Sequence, residues 1–175
     1  MTPDFVRSKL WREGADKHVY VILDGAQNEN LLDVMADAEG LESECLLMDQ
    51  LEPDMAEVAP DLIHLVEDAP FTHWLMENGW AQNWGVYLTS SEPLADVWRH
   101  VRQHAQVFDP QGKTLFFRFY DPRVMAAFLP TCSKQQLGEF FGPVDFFVAE
   151  AEGGVSAHAY SLADGNLVTE VIGST

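Results

Sequence analysis

Positive charge is what this sequence has least of. Ten Lys and Arg stand against 28 Asp and Glu, a formal net charge of −18, and no cation at all occurs between Lys17 and Arg99, a stretch that holds 17 acids. Phosphate neutralisation dominates nucleic-acid affinity, so a field of this sign excludes DNA or RNA as the partner. It steers a basic protein surface inward, or it serves solubility alone. The cations that exist are concentrated: six of the ten fall between Arg99 and Lys134.

Long apolar runs are missing as well. No window approaches the roughly 18 residues of a membrane span, and MTPDFVRSKLWREG contains no apolar stretch of signal-peptide length. The expectation is a soluble, cytoplasmic protein without a membrane partner. Cysteine is scarce: Cys45 and Cys132 lack the spacing of a zinc site or redox pair, and two reduced, buried thiols are expected. Repeats, low-complexity runs and linkers are absent, which points to one domain over residues 1–175.

Strand and helix patterns alternate along the chain. HVYVILDG (18–25) reads as a buried strand; NENLLDVMADAEG follows as a helix that Asn28 can cap, with Leu31, Leu32 and Met35 on one face. Strands are expected at 44–49, 61–66 and 84–90, and a helix at 70–79. Ser91 can cap a further helix whose Leu94, Val97, Trp98, Val101 and Ala105 form a core-facing stripe. KTLFFRFY reads as a strand, Asp121-Pro122 opens a helix to Leu129, and SKQQLGEFFG supplies another. DFFVAEA and VSAHAYSL flank Glu152-Gly153-Gly154 as an antiparallel hairpin, with LVTEVI a last strand. The alternation predicts an α/β fold: a mixed, mainly parallel sheet, helices on both faces and a C-terminal antiparallel hairpin.

Catalytic patterns fail on their own terms. Gly112-Lys113-Thr114 has Val107 where a phosphate loop needs its first glycine, and a strand follows where a helix should begin. GVSAH has no elbow glycine after its serine. His100 and His104 have the i, i+4 spacing of two metal ligands, but HVRQH lacks the zincin glutamate, and their phase makes them surface residues beside Arg99 and Arg102. His64 and Glu67 point to opposite faces of a strand, and no Asp/Asn/Gly loop organises the acids for calcium. No catalytic residue, cofactor or metal ligand is assigned. Trp74, Trp80 and Trp84 cluster around ENGWAQNWG; they read as packing between helix and strand, with Trp80 and Trp84 the candidates for an exposed interface anchor.

The remaining candidates lie in LFFRFYDPRVMAAFLP. Arg118 among aromatics needs a carboxylate, because an unpaired buried charge is costly. Asp121 can cap the next helix and accept from Arg118 or Arg123, which predicts a strand-to-helix corner of Arg118, Tyr120, Asp121 and Arg123. Arg123, in the first helical turn, is the member left to meet a partner.

FFRFYDPRVMAAFLP also resembles the signature of the adaptor (chaperone) domain of bacterial type VI secretion systems, a family long described only as a domain of unknown function. VYVILDGAQNENLL looks like that family's opening strand and turn, APDLIHLVEDAPFTHWLMENGWAQNWGVYLTS like its middle, and LGEFFGPVDFFVAE like its end; together they cover about residues 18–150. The resemblance implies a non-catalytic chaperone that binds a cognate toxic effector protein in the cytoplasm and helps load it onto the trimeric spike protein. Many members carry a second, mainly helical lobe after this domain. The alternatives in the same secretion context are a small hydrolase, which needs convergent polar groups in a pocket, and a toxin-neutralising immunity protein.

Overall fold

The computed structural model describes residues 4–13, 16–47 and 58–173. Among the described residues seven strands form one sheet: β1 (His18–Asp24), β2 (Ser43–Cys45), β3 (Pro60–Leu65), β4 (Gly85–Ser90), β7 (Val144–Glu150), β8 (Ser156–Ala163) and β9 (Asn166–Gly173). Their order across the sheet is β2-β3-β1-β4-β7-β8-β9. β1 is buried at every position after His18, because it lies inside the sheet with both faces covered. Val21, for example, pairs with Ile63 on one side and Tyr87 on the other.

Every neighbouring pair is antiparallel, which overturns the mainly parallel sheet expected from the alternation. The reason is topological. Helix α3 (Pro70–Asn78) links β3 to β4, and these two strands do run in the same direction, since each is antiparallel to β1. They are not neighbours: β1 is inserted between them, as in a split βαβ unit. In the same way β1 and β2, linked through helix α2 (Leu31–Asp37), share a direction with β3 between them. A strand–helix–strand pattern sets the relative direction of the strands it joins and leaves their adjacency open.

The sheet separates two cores. On one face Val19, Val21, Leu23, Ile63 and Val148 pack against Leu31 of α2, Phe71, Leu75 and Met76 of α3, and Val6 and Leu10 of an N-terminal helix, α1 (Asp4–Arg7), which continues as a π-helical stretch over Ser8–Glu13. The other face carries Tyr20, Ile22, Leu88 and Phe147 against α4 (Leu94–Ala105), α5 (Pro122–Phe128) and α6 (Lys134–Phe141). Each fully buried Leu or Phe in these layers contributes about 1.5–3 kcal/mol.

Local signals mostly sit where the residues placed them, with small shifts. Ser91 is not the cap of α4: Pro93 occupies that position, and the Ser90 hydroxyl accepts from Glu92 N. Asn28 is not the cap of α2 either: Asn30 holds that position, and the Asn28 side chain accepts from Asn30 N in the turn before it, while Leu32 on the expected apolar face is exposed. Met48 and Asp49 of the second expected strand lie outside the described residues. KTLFFRFY is the larger departure. Only Thr114–Phe116 is a strand, β6, paired with β5 (Gln106–Phe108) in a hairpin separate from the main sheet. Phe108 and Phe116 are exposed, and the core resumes at Phe119.

Candidate functional site

The residues singled out in the sequence meet at one end of the sheet. β1 ends there at Asp24, the turn from Trp80 to Trp84 enters β4 there, and β7 leaves at Glu150. Asp24 N donates to Trp84 O at 2.8 Å, which ties the first two together.

Arg118 does find a carboxylate, but that carboxylate is Asp24 rather than Asp121: Arg118 Nη2 donates to Asp24 Oδ2 across 94 residues of sequence. The Asp24 side chain is 3% exposed and that of Arg118 44%, so a buried acid is answered by a half-exposed base. Asp24 also accepts from Ala26 N at 3.1 Å and from Gln27 Nε2 at 3.2 Å, which holds the short 3-10 turn Gly25–Gln27. Desolvation opposes the Arg118 charge, yet the hydrogen bond and charge of Asp24 raise its pKa further.

Asp121 caps α5 as its position before Pro122 suggests, accepting from Arg123 N at 2.9 Å. The Arg123 guanidinium returns to the same carboxylate, Nε to Oδ1 at 3.0 Å and Nη2 to Oδ2 at 2.7 Å. Burial alone would push the Asp121 carboxyl up; the hydrogen bonds and charge of Arg123, with help from Arg118, outweigh it and hold the group below the usual carboxylate range. Tyr120 is buried beside them, and burial together with the Asp24 charge pushes its phenol up to about 12. It is a packing residue at this corner.

Trp80 and Trp84 are both partly buried against the α1–α3 core. Trp80 Nε1 donates to Gly154 O at 2.7 Å, and Trp84 packs on Trp74 with ring centroids 5.7 Å apart. Between them Ala81 and Asn83 adopt φ of 64° and 56°, and the amides of both donate to the Glu150 carboxylate. Burial raises the Glu150 carboxyl, although these amides and Arg123 pull it down. Glu150 was not visible as a site residue, because nothing local marks an acid at a strand end as the clamp of a turn 67 residues away. Arg123, Glu150, Asn83 and His158 line a pocket of about 420 Å³ at this corner.

The other sequence candidates lie elsewhere. His100 and His104 are half-buried against α6 rather than on the surface: His100 Nε2 contacts Phe140 O at 2.8 Å, and His104 packs on the Phe140 ring. His104 Nε2 is buried and finds no hydrogen-bond partner among the described residues, and burial followed by the His100 neighbour lowers its pKa to about 4. Cys45 and Cys132 are free thiols, partly rather than fully buried, and desolvation raises both. Among the described residues no group of three or more His, Cys, Asp or Glu could hold a metal, and no helix is long and apolar enough to cross a membrane.

What the fold and corner define is an antiparallel α/β protein whose charged groups knit four separate chain segments together. The chain belongs to the family described as Domain of unknown function (DUF4123), whose model matches residues 19–139. That span takes in Asp24, the Trp80–Trp84 turn and the Arg118–Arg123 corner, while Glu150 lies beyond it. No curated protein and no solved structure matches the chain.

Proposed function

We propose that this protein is a non-catalytic adaptor that binds a cognate toxic effector in the cytoplasm and helps load it onto the trimeric spike protein of a bacterial type VI secretion system. The observation that carries the reading is the meeting of separated blocks of the adaptor resemblance at one corner: VYVILDGAQ supplies Asp24, ENGWAQNWG the turn, and FFRFYDPRV the two arginines. The carboxylates there accept from internal donors, which supports reading the corner as a rigid surface. The exposed edges of Arg118 and Arg123 are what that surface offers to a partner.

Tagged protein expressed in a strain actively secreting through such a system should co-purify with an effector or a spike protein. Recovery of neither overturns the reading.

A further inference from the structure

At the other end of β3 from the corner, a groove of about 830 Å³ opens between α2 and the start of α3. Its apolar wall includes Val34, Leu41, Val66, Phe71 and Trp74, and Val66 is 60% exposed. Asp37, Glu39 and Glu42 line it as well, and among the described residues no Lys or Arg does. Asp37 and Glu39 make no ion pair among the described residues, and Glu42 meets only His64, at 3.0 Å. Glu67 and Asp68, which follow Val66 in the chain, already hold Arg7 at 3.5 and 3.2 Å.

We propose that this groove seats a helical segment of a partner protein, apolar along one stripe and carrying Lys or Arg beside it. Charge complementarity selects the basic flanks: the acids Asp37 and Glu39 lie within a stretch with no cation from His18 to Trp98. An apolar wall built from two helices is the setting for helix-in-groove recognition. The His64 amide already donates to Glu42 O at 2.9 Å and is not open to a guest strand, and the outer edge of β2 offers only a three-residue strand to pair with. A second copy brings the same −18 charge and is repelled. The inference rests on the adaptor reading and names the surface through which an effector is held.

The probe is a fluorescent peptide of about 14 residues, long enough to form a helix once seated, made of Leu, Ala and Lys with the leucines at i, i+3, i+4 and i+7. A control peptide of the same composition has its leucines scattered. By anisotropy the striped peptide should bind at least about tenfold tighter than the scattered one. Glu39→Lys combined with Glu42→Lys, and separately Leu41→Asp, should each weaken it by about tenfold or more, while Glu139→Lys on α6 should not. Equal binding of the two peptides, or equal loss with Glu139→Lys, overturns the proposal by reducing the effect to net charge. A dimer in light scattering that Leu41→Asp dissolves overturns it in favour of a second copy. Stripe-selective binding with no effector recovered from a secreting strain leaves the groove standing and removes the adaptor reading. An effector recovered equally by wild type and the groove variants does the reverse.

Discussion

Asp24 carries more of the corner than its place in the sequence suggests. It is nearly fully buried, and it serves the 3-10 turn and Arg118 at once. Asp24→Ala should cost about 2–3 kcal/mol in urea unfolding, since several hydrogen bonds to a charged acceptor are lost together. Arg118→Ala should cost less, about 1–2 kcal/mol, because Asp24 keeps two donors and the guanidinium is half in water. Asp121→Ala removes the cap of α5, worth about 1 kcal/mol. The reverse order, with Asp121→Ala the most harmful, would show that the pairing described here is wrong. His104 predicts a pH effect. Its folded pKa lies near 4 against an ordinary 6.5, so the unfolded chain takes up a proton first and stability falls as pH drops from about 6.5 towards 4. With the half-buried ring partly screened by solvent, this amounts to about 1–2 kcal/mol between pH 7 and 4.5, and His104→Gln should flatten that part of the pH–stability curve.

At the scale of elements, the hairpin of β5 and β6 and the start of β4 make opposite forecasts. Phe108 lies on the hairpin, 71% exposed, so Phe108→Ser should change stability by no more than about 0.5 kcal/mol. Gly85 allows a close backbone approach in the sheet: a Cβ there would press into the Ile22 carbonyl oxygen, a backbone atom that cannot swing away. Gly85→Ala should therefore cost about 1–3 kcal/mol, read as a lowered Tm. The two cases also show what was legible in advance. Strand and helix positions follow from period, caps and turns, and α4, with its stripe from Leu94 to Ala105, lies where its spacing puts it. The Asp121 cap of α5 was legible because a cap is a local bond. Arg118–Asp24 and Glu150 with the Ala81–Asn83 turn were not, since they join residues far apart and depend on strand order. KTLFFRFY misleads because an apolar strand pattern is the same whether the strand joins the sheet or only a neighbouring hairpin.

For the whole molecule, charge distribution dominates encounter. Six cations lie between Arg99 and Lys134 and none between His18 and Trp98, so the chain offers a basic partner an anionic stretch that Arg7, Arg99 and Arg118 compensate in part. Association with such a partner should slow steeply as salt rises from low to physiological and beyond, measured as on-rate by stopped flow. A rate indifferent to salt would leave the acids with solubility alone. The insertion of β1 between β3 and β4 has a further consequence, for the ribosome. β1 is among the first strands made, yet both of its hydrogen-bonding edges belong to strands that begin at Pro60 and Gly85. At about 5–20 residues per second, the 35 residues between Asp24 and Pro60 keep VYVIL waiting for about 2–7 s with neither edge paired, and the second edge waits longer still. During that interval a strand with five consecutive apolar residues is a template for any other nascent chain, so the yield of folded protein should respond to holding chaperones at the ribosome and to translation speed far more than its final stability would suggest.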